Sequence, residues 1–158
     1  MIKLLRVDDN LLHGQVAFSW VRNLRIHTII VADDKVANDQ FMKMSLGLAK
    51  PVGVNLIIDS VDNAIEILRT DDKLNILVIV GNIRNAEKMV SALKLNKVNI
   101  GLVRNRNECV LHYGSIQLDS EDVELVKDML KKDVYIEYRL RYDDEEIPLE
   151  DIFKENNI

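Results

Sequence analysis

Arg6-Val7-Asp8-Asp9-Asn10-Leu11-Leu12-His13-Gly14-Gln15-Val16 is the stretch on which the fold turns. Ahead of it, Ile2, Leu4 and Leu5 supply an apolar strand; beyond it, Val16, Ala17, Trp20, Val21 and Leu24 recur at helical spacing. His13 therefore sits in a strand-to-helix loop, with the backbone N–H groups of Gly14, Gln15 and Val16 open just behind it. A helix N-terminus carries roughly half a positive charge and unpaired donors, so it favours an anion. A neutral imidazole beside such a cradle is suited to accept and hold a phosphoryl group. Against this, Asp8, Asp9 and Asn10 are ordinary turn and N-cap residues, and a histidine near a helix start is often a solvated loop side chain. On local chemistry alone the turn reading is the stronger.

The alternation of strand and helix continues along the chain. A strand from His27 to Asp33 is built on Ile29, Ile30 and Val31, and Phe41, Met44 and Leu48 line one face of the next helix. Ala49-Lys50-Pro51-Val52-Gly53 breaks that helix. Val54 to Asp59 is a third strand, and Ser60 caps a helix whose buried stripe is Val61, Ala64, Ile65 and Leu68. After the polar turn Asp71-Asp72-Lys73, the run Ile76 to Val80 has no alternation, which marks a strand covered on both faces. Ala86, Met89, Val90 and Leu93 form the next helical face, and Val98 to Val103 the next strand. Arg104 to Cys109 reads as an irregular basic loop, followed by a short strand near Tyr113 to Leu118. Asp119-Ser120-Glu121-Asp122 starts a helix with Val123, Val126, Met129 and Leu130 inward, and Val134 to Leu140 is a peripheral strand.

Strands alternating with helices imply βαβ units and right-handed crossovers. The fold class is α/β: a three-layer α/β/α arrangement with an open, mainly parallel twisted sheet and helices on both faces, over residues 1–158 as one domain. Ligands on such sheets bind beyond the carboxyl ends of the strands. That places the His13 loop, Asp33-Asp34, Gly81-Asn82 and the segment from Gly101 on one rim. Strand order is not legible from the residues.

Composition narrows the function classes. At 158 residues the chain buries about 68–70% of its unfolded surface, enough for one core. With three Phe, four Tyr and one Trp, that core must be aliphatic. The lone Cys109 excludes an internal disulfide and reads as a buried structural thiol in a reducing compartment. The net charge of −5 is concentrated between Asp143 and Ile158, where seven acidic residues meet one lysine in what reads as a solvated acidic segment. No basic stripe marks a nucleic-acid binder. Charge arrives at Arg6, too soon for a signal peptide, and the run Ile76 to Val80 is far short of the ~20 residues that cross a bilayer, so a soluble protein is expected. No Walker loop, G-x-G-x-x-G, H-E-x-x-H or C-x-x-C occurs, so neither a nucleotide, a metal nor another cofactor is expected.

RVDDNLLHGQV resembles the active-site loop of the enzyme IIB components of the bacterial sugar phosphotransferase system, in the mannose/fructose/sorbose family. Members typically read R-[IV]-D-x-R-L-[IL]-H-G-Q-V, and their histidine is phosphorylated. The resemblance continues through Trp20-Val21, the run from Ile29 to Asp39, Asn99-Ile100-Gly101 and the strand-helix-strand of the last third. It implies that His13 takes a phosphoryl group, on Nδ1, from a phosphohistidine of a IIA partner and hands it to a sugar held by the membrane IIC and IID permease. The location implied is the cytoplasm, at the membrane edge through the permease; a homo-oligomer is left open, and the sugar is not legible. Histidine's reference pKa of about 6.5 leaves the nucleophile mostly neutral near pH 7. Asn10 and the Gly14, Gln15 and Val16 amides are the candidates to hold the phosphoryl oxygens. Arg6 and Asp8 support them, Asp8 either by orienting the imidazole or as an ordinary turn cap. Trp20 reads as core, Asp33-Asp34 as rim or cap residues, and His27 and His112 as structural or exposed. Arg22 and Arg25 are either a basic collar for an acidic IIA surface or solvated charges.

One departure stands out. The family's arginine three positions before the histidine is Asn10 here, and losing a preorganised donor costs other enzymes about 2.7–4 kcal/mol. Asn10 still offers an amide N–H, and Arg6, Arg104 and Arg106 are the candidates to supply the charge from elsewhere on the rim. The alternative is a slow or non-transporting, phosphorylation-sensing regulatory protein that keeps the fold. A third, more distant reading is an α/β small-ligand binder.

Overall fold

The computed structural model describes residues 1–70, 73–104 and 108–158. Strand β1 (Ile2–Asp8) occupies the middle of a seven-stranded sheet. It is flanked by β4 (Ile76–Val80) and β5 (Lys97–Leu102), both parallel to it. Beyond β4 lie β2 (Thr28–Ala32) and then β3 (Asn55–Asp59); beyond β5 lie β8 (Tyr135–Tyr138) and β9 (Ile147–Pro148), the last antiparallel to its neighbour. Leu77, Val78, Ile79 and Val80 are buried, as the unbroken apolar run requires of a strand covered on both sides.

Two apolar clusters fix the layers. Leu4 of β1 packs with Val16, Trp20 and Val21 of α1 (Gly14–Leu24), Val36 of α2 (Asp34–Ala37) and Leu46 of α3 (Gln40–Leu48). Leu5 and Val7 point the other way. They pack in the larger cluster with α4 (Val61–Leu68), α5 (Ile83–Leu93), α6 (Ser120–Lys131) and α7 (Leu149–Glu155). The period-2 alternation of β1 thus places Leu4, Arg6 and Asp8 on the α1 face.

One sequence expectation is completed and three are corrected. Phe41, Met44 and Leu48 do share a face of α3, but it faces solvent; Leu46 is the residue that turns inward. The segment 143–158 is not merely solvated: β9 joins the sheet, and Leu149, Ile152 and Phe153 of α7 are buried. Each such side chain taken from water is worth roughly 1.5–3 kcal/mol, which its acidic neighbours do not cancel by facing outward. Residues 113–118 are not one strand but the two arms of a hairpin, β6 (Leu111–Tyr113) and β7 (Ile116–Leu118), turning at Gly114 with φ +54°. Cys109 is exposed rather than buried, and its thiol donates to the Leu111 carbonyl at 2.8 Å. The expected turn at Asp71-Asp72 lies outside the described residues.

Candidate functional site

Asp8, the last residue of β1, is fully buried and organises the loop after it. Its Oδ2 accepts from the Arg6 guanidinium at 3.0 Å and from His13 Nε2 at 2.9 Å, while Oδ1 accepts the Asn10 amide at 2.9 Å. The chain then turns through Leu11, whose φ of 59° lies in the left-handed region that a leucine rarely adopts. Two contacts hold it there: Leu11 N–H donates to the Asp8 carbonyl at 2.9 Å, and the Leu11 and Leu12 side chains are buried in the cluster under α1. The loop is therefore anchored at both ends, by a carboxylate and by two leucines.

His13 emerges from this anchorage as the N-cap residue of α1, in extended conformation, with its side chain 33% exposed. A carboxylate can only accept, so the Asp8 contact places the proton on Nε2 and leaves the lone pair on Nδ1. The imidazole makes no cap bond. The first-turn amides of Gly14, Gln15 and Val16 precede the point where α1 closes its own ladder, at Ala17 N–H to the His13 carbonyl, 3.0 Å. Around Gly14 there is open space, with nothing within 4 Å of where a Cβ would stand. The open space at Gly14 thus lies at the first turn of α1, where amide donors and the positive end of the helix dipole suit an anion.

The supporting residues are deep in the sheet. Arg6 is buried under Trp20, 5.5 Å from its ring centroid, and also donates to Asn99 Oδ1 at 2.6 Å and the Arg139 carbonyl at 3.1 Å. Burial pulls its pKa below the ordinary guanidinium value, and the Asp8 carboxylate opposes that pull. Arg6 therefore holds Asp8 and does not project to the surface. From Asn99 the network continues to Glu137 and on to Arg139, which bonds Glu137 and Glu146 and lies 4.8 Å from the Trp20 centroid. Despite its partial burial, these two carboxylates raise the Arg139 pKa. Gly101 is required here, because a Cβ would collide with the Arg6 guanidinium. Asn99 and Glu137 were legible only as polar residues inside apolar strands, and their partners were not.

The cations named as substitutes for the family arginine divide cleanly. Arg6 is locked below, Arg106 lies outside the described residues, and Arg104 reaches across from the end of β5. Its backbone and guanidinium donate to Asp9 at 2.7–3.1 Å, and its Nη2 donates to Asn10 Oδ1 at 2.6 Å. Asn10 itself is exposed on the loop. Asp33 and Asp39 cap α2 and α3, and Asp34 accepts the Val61 amide, so the carboxylates of the rim serve the backbone. They also wall a cavity of about 470 Å³ beside the loop, with Asp9 and Gly81, whose charge suits no phosphoryl group. Trp20 is core, its indole N–H donating to the Leu140 carbonyl. His27 Nδ1 accepts the Asn75 amide, and His112 is exposed on β6. Among the described residues no cluster of His, Cys, Asp and Glu is arranged to hold a metal.

Residues 2–158 match the family model of the PTS system sorbose subfamily IIB component. The chain belongs to that family. Among IIB relatives, it is 39% identical over 108 residues to a probable phosphotransferase enzyme IIB component of Streptococcus pyogenes, an alignment covering 64% of this chain and 66% of that one. It is 27% identical over 155 residues to the PTS system mannose-specific EIIAB component of Escherichia coli, covering 96% of this chain. The chain spans about half the length of that relative, at 48%. The crystal structure of the IIBSor domain of the sorbose permease from Klebsiella pneumoniae superposes with a TM-score of 0.92 at 25% identity, covering 98% of this chain and 97% of that one. No helix among the described residues of this IIB chain is long and apolar enough to cross a membrane.

Proposed function

We propose that His13 is the phosphoryl carrier of this IIB chain, acting over residues 1–158 as a single unit. A IIA partner presents a phosphohistidine over the rim; in the E. coli relative, named EIIAB, a IIA unit shares the polypeptide. The Nδ1 lone pair of His13 attacks phosphorus in line as the donor's N–P bond breaks, and the Nε2 proton stays on its bond to Asp8. Exchange between two phosphohistidines is nearly balanced, so the protein's part is positioning and charge neutralisation. The Gly14, Gln15 and Val16 amides and the Asn10 side chain receive the oxygens, while Arg6 holds Asp8 in place from below. The second transfer is to a sugar hydroxyl in the membrane IIC/IID permease: an O–P bond forms, the N–P bond breaks, and the hydroxyl proton leaves to a base at the sugar site. On this reading the chain works in the cytoplasm, at the membrane only through the permease.

The observation that carries the proposal is the pairing of Nε2 with buried Asp8 beside an uncapped helix start. The experiment is incubation with the upstream phosphorylated carriers. Stoichiometric, acid-labile labelling that His13→Ala abolishes, and that discharges onto sugar when permease is added, is the expected outcome. Absence of label in a folded sample removes the reading. Label without discharge supports the slow, phosphorylation-sensing alternative, which the pairing of Arg104 with Asp9 favours to the extent that it keeps that charge from the phosphoryl group.

A further inference from the structure

Across the middle of the sheet, three polar side chains lie in one lateral row on the α1 face. Arg6 of β1 is in register with Asn99 of β5, and Asn99 with Glu137 of β8. Their neighbours Val98, Ile100 and Ile136 pack on the opposite face, in the cluster under α4 to α7. Asn99 and Glu137 are fully buried, and Arg6 is 2% exposed. Buried ion pairs replaced by well-packed apolar side chains are often neutral or more stable, so stability alone does not call for such a row.

The row has a direction. Glu137 Oε1 and the Arg139 carbonyl can only accept, and both face Asn99 Nδ2 at 3.1 Å. The Asn99 amide therefore has one orientation, with Oδ1 turned to Arg6 Nη1 at 2.6 Å. A guanidinium is a rigid planar fork, so fixing Nη1 also fixes where Nη2 lies. Nη2 meets Asp8 Oδ2 at 3.0 Å, and that same oxygen takes the His13 Nε2–H at 2.9 Å. Two further contacts keep the guanidinium from sliding: the Trp20 ring lies 5.5 Å away, and Gly101 leaves only the space the guanidinium fills. Glu137 is itself held, by Arg139 Nη2 at 3.0 Å and Nε at 3.2 Å. Because Asp8 Oδ2 is shared between guanidinium and imidazole, a shift of the first is passed to the second.

We propose that Asn99, its amide oriented by Glu137, is a positioning residue for His13, acting through Arg6 and Asp8 to aim Nδ1 at the incoming phosphorus. The proposal rests on the reading of His13 as the phosphoryl carrier. Asn99 acts at a remove of two side chains, from beneath the loop and not from its surface. Its loss therefore changes how fast the bound donor is attacked and leaves unchanged how well the donor binds.

The test uses the full chain with the phosphorylated IIA donor, and the full chain alone carrying isotope-labelled histidine for magnetic resonance. Asn99→Leu is close in shape and cannot accept from Nη1. Its maximum labelling rate per folded molecule is expected to fall at least about tenfold, within the range that misplacing a reacting group costs, with the half-saturating donor concentration within about twofold of the parent. The His13 Nε2–H resonance, drawn downfield in the parent by its bond to a carboxylate, is expected to move back upfield. Ile152→Ala opens a cavity in the other layer, away from the row, and is expected to leave both readouts at parent values. A parent-like rate or a parent-like resonance in Asn99→Leu overturns the proposal. So does a rate loss explained by a raised half-saturating concentration, which is a docking defect, and so does the same loss in Ile152→Ala, which is general softening. If Asn99→Leu does not fold, Gly101→Ala decides, because its Cβ falls on the Arg6 guanidinium and must displace it; a parent-like rate or resonance there overturns the proposal. If the parent chain takes no label at all, the phosphocarrier reading fails, while the Nε2–H resonance still decides whether Asn99 holds the imidazole.

Discussion

Helices α1 and α5 are nearly the same object built twice. Each has eleven residues, each follows one of two neighbouring parallel strands, and each ends on a left-handed residue, Arg25 or Lys94. They differ at the start. Asn82 caps α5, its Oδ1 accepting the Asn85 amide at 2.8 Å. His13 occupies the same position on α1, with the same extended backbone, and turns its side chain to Asp8 instead. Helix α5 is satisfied by its own sequence; α1 forgoes about 0.5–2 kcal/mol of capping and keeps its donors open. On the reading proposed for His13, the difference is local stability set aside for a ligand.

The contrast breaks most severely at Asp8. Asp8→Ala removes the acceptor that holds His13 off the amides of α1 and leaves the Arg6 guanidinium buried without its carboxylate. Breaking a buried pair by removing one partner costs about 3–5 kcal/mol. Urea unfolding is expected to register that loss. Asp8→Asn keeps the shape and one accepting oxygen but sets an NH2 group against either the Asn10 backbone amide or the Arg6 and His13 donors; it is expected to fold better than Asp8→Ala while labelling at His13 slows, because the neutral amide no longer dictates the Nε2–H tautomer. Equal labelling rates for Asp8→Asn and the parent chain would deny Asp8 any orienting role.

Reading the sequence located the loop and the layers but not the wiring beneath them. The strand at Ile76–Val80 and the caps at Ser60 and Asp119 were legible because burial on both faces and capping leave local signatures. The rim was legible for the same reason, since parallel strands deliver their carboxyl ends to one side. The Asn99–Glu137–Arg139 network was not, because it joins β1, β5 and β8, and strand order is a tertiary outcome with no local signature. Phe41, Met44 and Leu48 share the helix face read for them, and that face is turned to solvent. Periodicity reports which residues share a helix face, not whether that face meets the core or water. The 143–158 segment misled by composition: the acids there obscured Leu149, Ile152 and Phe153, which recur at helical spacing.

On the α5 side, Asn82→Ala removes the cap and is expected to cost about 1 kcal/mol of stability. The Asn85 amide then lacks its side-chain cap, as the first turn of α1 does. Because Asn82 lines the acidic cavity and His13 does not, labelling of His13 is expected to proceed at the parent rate. A loss of stability together with slowed labelling would mean that the two helix starts are coupled through the rim, and that comparing them as independent copies is unsound.

The smallest effect is also the most discriminating. His13→Asn turns α1 into the likeness of α5, since position 13 already has φ −137° and ψ 134°, the extended geometry a cap needs. Two terms oppose each other. The new side chain accepts a first-turn amide, worth about 1 kcal/mol in favour. The Asp8 Oδ2 loses its bond to the imidazole, but keeps Arg6, and a partner exposed to water at this position can be replaced by solvent, at a cost of about 0.5–1.5 kcal/mol. The net change in unfolding free energy is therefore expected to lie within about 0.5 kcal/mol of zero, while labelling falls to background. His13→Ala, which loses the Asp8 bond without gaining the cap, should be the less stable of the two by about the value of one cap. Equal stability of the two variants would mean that the amides of α1 are not free to be capped, and the case for an anion site at that helix start would go with them.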